Sequence, residues 1–138
     1  MMQFDITDVV AEQDKKTVIA GLSEHDLPKL EYRSPKDLAV YHRVDGEIKA
    51  GLIGITHGNW FRVDYLWVSE ELRHTGIGSK LLRAAEEAAM ARGCKFGFLN
   101  TFDFQAPNFY TKYGYREVFV LEQYPETGKR FYYVKDLV

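Results

Sequence analysis

The order of patterns between residues 59 and 91 limits the possible folds of this chain more than any other feature. Aromatic and β-branched residues crowd the segment NWFRVDYLWVS at 59–69, which predicts a strand. The stretch LRHTGIGSKLL at 72–82 follows, with two glycines one residue apart. An apolar stripe at helical spacing then predicts an amphipathic helix, formed by Ile77, Leu81, Ala85 and Ala88. This succession favours a fold that mixes helices with a sheet.

The rest of the chain alternates between further strand and helix patterns. Asp45-Gly46 lies between two β-prone runs and predicts a two-residue hairpin turn. Gly93 is expected to end the long helix. The other predicted elements are an edge strand at 2–7, one amphipathic helix or two short ones at 9–27, a loop marked by Pro28 and Pro35, strands at 94–101, 115–124 and 129–138, and a short helix at 106–113.

These elements predict an α/β (α+β) fold with a mixed, mostly antiparallel central sheet. Hairpins account for most of the strand connections, whereas the long helix joins two strands that run parallel. We expect six or seven strands with helices on both faces of the sheet. The length of 138 residues is typical of a single domain, so one domain over residues 1–138 is expected.

Composition argues against several classes of function. A net charge of −2 gives no reason to expect nucleic acid or an anionic membrane as a partner. The sequence has no run of about 18 apolar residues, and its N-terminus lacks the pattern of a signal peptide. Cys94 is the single cysteine, which excludes an intrachain disulfide and favours a cytoplasmic location. His25 and His42 lack metal-ligand spacing with other residues, so no metal is expected.

The glycine-containing loop has the chemistry of an anion site. The first backbone N–H groups of a helix have no intrahelical partner and lie at the positive end of its dipole. Gly76 and Gly78 have no Cβ, so a pyrophosphate could approach the main chain closely, with Arg73 and Ser79 adding polar contacts. The P-loop pattern and the dinucleotide-binding pattern are both missing. Such junctions are common, so a plain structural turn is the alternative to a phosphate site.

Two motifs at a characteristic separation resemble one known family. Arg73-His74-Thr75-Gly76-Ile77-Gly78 is similar to the R/Q-x-x-G-x-G/A signature of the GNAT superfamily of acyl-CoA-dependent N-acetyltransferases, and FYTKYGY at 109–115 is similar to a second segment of it. The similarity covers roughly residues 36–123 and looks closest to small bacterial members of unassigned substrate.

The resemblance implies a cofactor site, and the chain departs from the family pattern of that site at one position. Acetyl-CoA is the implied co-substrate, with its pyrophosphate on the loop and its pantetheine arm on the main chain of a splayed strand. Many relatives carry an asparagine seven residues before the motif tyrosine, where this chain has Asp103, so that either Asn100 or Asn108 covers the role or the contact is absent. The implied cofactor-binding residues are Leu66, Trp67, Val68, Arg73, His74, Thr75, Gly76, Ile77, Gly78, Ser79, Asn100 and Asn108.

Acetyl transfer to an amine needs an acid for the leaving thiolate and, in some enzymes, a base for the amine. The resemblance assigns the acid to Tyr110; the alternative is a packed core aromatic. Asp64, on a strand rich in aromatic residues, is the candidate base, unless it simply pairs with Arg62. The other candidate bases are Glu47, His57 and Glu122, and an amine that arrives neutral needs none.

The expected function is therefore acetyl transfer from acetyl-CoA to a primary amine of a small molecule or a protein, by direct attack in a ternary complex. A non-catalytic acyl-CoA sensor is the alternative, and a dinucleotide-binding domain is disfavoured by its missing residues. A homodimer is possible through the hairpin at 115–137, because an exposed aromatic edge strand invites pairing.

Overall fold

The computed structural model describes residues 2–26, 34–105 and 107–138. By backbone contacts the chain divides into two compact units, Met1–Tyr32 and Arg33–Val138. Pro28 of the predicted loop and the first residue of the short helix predicted at 106–113 lie outside the described residues.

In the described part of the first unit, residues 2–26, one helix forms, α1 (Glu12–Asp26). It lies within the predicted segment 9–27 and confirms the single-helix alternative. The edge strand predicted at 2–7 is wrong, because residues 2–7 form neither strand nor helix. The backbone N–H of Val9 donates instead to Oγ1 of Thr7 at 3.1 Å. Such local side-chain bonds compete with strand pairing, and an alternation of only three apolar residues is too short to outweigh them.

The second unit contains a six-stranded mixed sheet with two helices. Its elements are β1 (Lys36–Val44), β2 (Glu47–His57), β3 (Trp60–Val68), α2 (Ile77–Ala91), β4 (Phe96–Phe102), α3 (Pro107–Thr111), β5 (Arg116–Glu122) and β6 (Lys129–Asp136). The strand order is β1-β2-β3-β4-β6-β5. Every neighbouring pair is antiparallel except β3 and β4, which are parallel and joined by the long helix α2. The predicted mixed, mostly antiparallel sheet is thus confirmed.

Turn residues set the ends of these elements as predicted. Asp45 and Gly46 connect β1 to β2 with φ of 52° and 79°. Two consecutive positive φ values are what a tight two-residue hairpin requires, and aspartate and glycine accept them at low cost. Gly93, with φ of 92°, follows the last residues of α2.

The core lies between α2 and one face of the sheet. On β2, alternate residues Ala50, Leu52, Gly54 and Thr56 are buried, and their partners on β3 include Phe61 and Val63. The helix contributes the buried side chains Leu81, Leu82, Ala85, Glu86 and Ala89. Period-two burial on the strands therefore meets a helical stripe, as the sequence pattern predicts, apart from the buried charge of Glu86.

A β-bulge at Asp64 changes which face the second half of β3 presents. Ile53 pairs with Tyr65 and Gly54 with Val63, so Asp64 has no partner residue on β2. The extra residue shifts the alternation by one position. Leu66 consequently packs against the core, whereas unbroken alternation along the strand would place it on the same side as Arg62 and Asp64.

β3 and β4 separate after a short parallel pairing. Their register covers only Trp60 to Arg62 on β3 and Phe96 to Phe98 on β4. Beyond that point β3 continues to Val68 and β4 to Phe102 without pairing to each other. The separation leaves a wedge-shaped gap in the middle of the sheet.

Candidate active site

The gap between β3 and β4 widens into a cleft of about 540 Å³. Its walls come from β3, the loop before α2, the first turn of α2, the end of β4 and α3. The cleft brings together eleven of the predicted site residues: Asp64, Leu66, Val68, Arg73, His74, Gly76, Ile77, Gly78, Ser79, Asn100 and Tyr110. Three predicted cofactor-binding residues, Trp67, Thr75 and Asn108, do not line the cleft. The alternative bases Glu47, His57 and Glu122 do not line it either.

The loop before α2 forms a cradle of backbone N–H groups. His74 and Gly76 adopt left-handed φ of 66° and 86°, and Gly76 caps the helix. Among the described residues, the first amide after Arg73 to donate a backbone hydrogen bond is that of Lys80, to the carbonyl of Gly76 at 3.2 Å. The amides of residues 74–79 are therefore available to a ligand, at the positive end of a 15-residue helix.

Side chains of the loop serve mainly to hold its shape. Nε of Arg73 donates to the carbonyl of Val68 at 3.3 Å, and Oγ of Ser79 donates to the carbonyl of Gly76 at 2.9 Å. Oγ1 of Thr75 donates to the carbonyl of Leu72. The groups that the loop offers to an anion are thus chiefly main-chain amides, which fit a pyrophosphate.

Glycine at position 78 keeps the space between the loop and α3 open. A Cβ placed on Gly78 would lie 3.5 Å from Cζ of Phe109 and 3.7 Å from Cγ2 of Val68. These are ordinary van der Waals distances, so a methyl group fits the fold but occupies part of the cleft. The first turn of α2 therefore leaves room for a ligand.

Tyr110 reaches the cleft from α3 within a cluster of aromatic rings. Its ring centroid lies 5.1 Å from that of Phe109 and 5.9 Å from that of Tyr115, both edge-on. Burial raises the pKa of Tyr110 to about 12, because removal from water disfavours the phenolate. Its hydroxyl makes no hydrogen bond to any described residue, so it is free to donate to a ligand. The rings of Phe109 and Tyr113 are also in contact, with centroids 5.0 Å apart.

Asp64 forms a two-point ion pair with Arg62. Nε of Arg62 lies 2.5 Å from Oδ1 of Asp64, and Nη2 lies 3.3 Å from Oδ2. The pairing raises the pKa of Arg62, chiefly through the hydrogen bond to Asp64. Both carboxylate oxygens thus accept hydrogen bonds from the guanidinium at the bulge. This is the pairing with Arg62 that the sequence analysis gave as the alternative to a role as base.

Asp103, the departure from the family pattern, does not line the cleft. It lies with Phe102, Phe104, Tyr124 and Gly128 at a separate groove beside the β5–β6 turn. The cleft is lined by Gln105, which sequence reasoning missed. Its position within NTFDFQAP, five residues after the predicted Asn100, was the available signal.

Glu86 is a second omission, since it is buried on the core face of α2. Its carboxylate accepts from the hydroxyl of Tyr115 at 2.8 Å and from Nζ of Lys135 at 3.0 and 3.1 Å. Burial, with the nearby Glu86 carboxylate, raises the pKa of Tyr115. Its spacing of four residues from Leu82 and its place directly after Ala85 set it beside the apolar stripe, and this was the signal.

The described residues contain neither a cluster of metal-ligating side chains nor a helix suited to a membrane. Nowhere in residues 2–26, 34–105 and 107–138 do three His, Cys, Asp or Glu side chains come close enough to hold a metal ion. In the same ranges no helix is long and apolar enough to cross a membrane.

Comparison with known proteins gives consistent matches. A family model described as "Acetyltransferase (GNAT) domain" matches residues 34–117. The chain is 40% identical over 93 residues to a blasticidin-S acetyltransferase from Streptomyces morookaense, covering 67% of this chain and 68% of that protein. It is 32% identical over 118 residues to the acetyltransferase Atu2258 from Agrobacterium fabrum, covering 85% and 86%. A crystal structure of an acetyltransferase from Bacillus cereus superposes with a TM-score of 0.85 at 28% identity, covering 96% and 97%.

Proposed function

The chain belongs to the GNAT family of acetyltransferases and transfers an acetyl group from acetyl-CoA to an amine, and from this premise we propose how its cleft does so and on which amines. Acetyl-CoA binds with its pyrophosphate on the amides of residues 74–79. Its pantetheine arm pairs with the main chain of Leu66, Trp67 and Val68, which has no strand partner on the β4 side. The separation of β3 from β4 is the observation that carries this proposal.

The transfer is a direct attack in a ternary complex. The lone pair of the amine forms a bond to the acyl carbon, and the carbon–sulfur bond breaks with its electron pair going to sulfur. Tyr110 gives its phenolic proton to that sulfur, and the proton lost by the amine restores the phenol through solvent or a base. A pKa of about 12 supports this role, because Tyr110 carries its proton at every physiological pH.

Asp64 is the proposed acceptor of the amine proton, through a water molecule. Its place in the bulge at the edge of the cleft supports the assignment. The ion pair with Arg62 occupies one lone pair on each carboxylate oxygen. Each oxygen keeps a second lone pair, which can accept the proton that the water molecule passes on.

The proposed acceptor is a small-molecule amine of the antibiotic type rather than a protein amino group. The support is the 40% identity to a protein named for the acetylation of blasticidin S, over a segment that is two thirds of this chain. The test is release of coenzyme A thiol from acetyl-CoA with a panel that includes blasticidin S, an aminoglycoside, a polyamine and a peptide. Mass spectrometry identifies the product, and acetylation of the peptide alone would overturn the assignment.

We also propose that β5 forms a dimer contact. It is the last strand in the sheet order, and Val118 and Phe119 on it are more than half exposed. An apolar edge strand is open to pairing with a second copy. Light scattering at high micromolar concentration tests this, and a monomer there would contradict it.

A further inference from the structure

We propose that the side-chain amides of Asn100 and Gln105 form a two-donor site in the cleft, and that this site binds a carbonyl oxygen. The proposal rests on the placement of acetyl-CoA in the cleft. It goes further by assigning a role to Gln105, by fixing which end of each amide faces the ligand, and by naming Arg130 as a positioning residue.

The oxygen of Gln105 is held by the protein. Oε1 accepts from the backbone N–H of Phe102 at 2.8 Å and from Oγ1 of Thr101 at 3.0 Å. A backbone N–H can only donate, so the oxygen and not the nitrogen of the amide must face Phe102. Thr101 is buried, which fixes this end of the side chain. The NH₂ group of Gln105 is the end that remains for the cleft.

Arg130 orients Asn100 in the same way. Its Nε lies 2.7 Å from Oδ1 of Asn100. A guanidinium has no acceptor, so the oxygen of Asn100 must face Arg130 and its NH₂ group must point elsewhere. Arg130 is itself held by the hydroxyl of Tyr124 at 3.2 Å and by the rings of Phe102 and Tyr124, each with its centroid 5.4 Å away.

Both residues line the cleft, and neither NH₂ group donates a hydrogen bond to any residue that the structure describes. Two neutral N–H donors whose own oxygens are already bonded favour a ligand atom that only accepts. A carbonyl oxygen has two lone pairs and can accept from both. That oxygen comes either from a pantetheine amide of acetyl-CoA or from the acceptor molecule.

The test replaces each donor by an isosteric acceptor. Gln105→Glu and Asn100→Asp keep an oxygen for Phe102 and Arg130 but turn a carboxylate oxygen toward the cleft. Gln123→Glu, an exposed residue that does not line the cleft, is the matched control for the added charge. Calorimetry measures binding of coenzyme A and of adenosine 3′,5′-bisphosphate, which carries phosphates but no pantetheine. Melting temperatures confirm that each variant is folded.

We expect coenzyme A affinity to fall about tenfold or more in both variants, with little change for the bisphosphate and none in the control. If instead only the KM of the acceptor rises by that factor, the carbonyl belongs to the acceptor. The proposal is overturned if neither coenzyme A affinity nor the KM of the acceptor changes by more than about twofold. It is also overturned if coenzyme A and the bisphosphate lose affinity equally. If wild-type protein fails to bind coenzyme A, the cleft assignment falls together with this proposal. If the wild type binds coenzyme A normally and neither variant changes coenzyme A affinity or the KM of the acceptor, this proposal alone is overturned.

Discussion

Replacing Glu86 by alanine is expected to destabilise the protein far more than the same change one residue later. The Glu86 carboxylate is nearly inaccessible and joins α2 to the residue before β5, through the hydroxyl of Tyr115, and to β6, through the ammonium of Lys135. Glu87 lies on the exposed face of the same helix, and its one ion pair among the described residues is a long one with Arg83, at 3.8 Å. The two glutamates form a matched pair that differs in burial.

The magnitude follows from what the substitution leaves behind. Removal of Glu86 strands a buried phenol and a lysine whose side chain is only 22% exposed. Breaking a buried ion pair by removing one partner costs about 3–5 kcal/mol, whereas exposed pairs at this helical spacing contribute about 0.3–0.5 kcal/mol. An unfolding entropy of about 2.1 cal/mol/K per residue converts the larger cost to a melting temperature about 10–17 °C lower for a chain of 138 residues.

The assay is thermal and urea unfolding of the wild type, Glu86→Ala and Glu87→Ala, followed by circular dichroism. A third variant combines Glu86→Leu, Tyr115→Phe and Lys135→Met. It removes all three polar groups at once and should recover much of the loss, because no unpaired charge remains. If Glu86→Ala melts within about 2 °C of Glu87→Ala, the carboxylate is not a buried junction and the reasoning from burial fails.

Three other predictions concern activity and cofactor binding. Tyr110→Phe should lower kcat by about 10²–10⁴-fold with coenzyme A affinity unchanged, and the exposed Tyr41→Phe should have no effect; full kcat under conditions where chemistry limits turnover would make Tyr110 a packing residue. Because its pKa is raised to about 12, Tyr110 should lose its proton only as pH rises toward that value. The difference in kcat between the wild type and Tyr110→Phe should therefore persist past pH 10, and a rate profile in which it vanishes near pH 10 would contradict this. Gly78→Val should weaken coenzyme A binding steeply in calorimetry while the melting temperature changes little, since its Cβ meets neighbours at ordinary contact distance; unchanged affinity would show that the pyrophosphate binds elsewhere.

Local sequence patterns were enough to predict most of the fold. The Asp45-Gly46 turn, the helix that starts after Gly76 and ends before Gly93, and the alternation on β2 were all predictable, because turn conformations and periodicity depend on residues close in sequence. The two family motifs, at residues 73–78 and 109–115, identified the acetyltransferase family, because each is a short segment whose residue types can be recognised from the sequence alone. Where the local signal was weak, as at residues 2–7, the prediction was wrong.

Only the tertiary structure decided how these segments meet. The bulge at Asp64 depends on register with a neighbouring strand, and it placed Leu66 on the core face against the sequence alternation. Burial of Glu86 depends on partners 29 and 49 residues away, and the orientation of the Asn100 amide depends on Arg130, 30 residues away. Periodicity assigns a residue to a face of its own element, but hydrogen-bond partners, burial of charge and a gap between strands are properties of pairs of elements. Those pairs form only when the chain has folded.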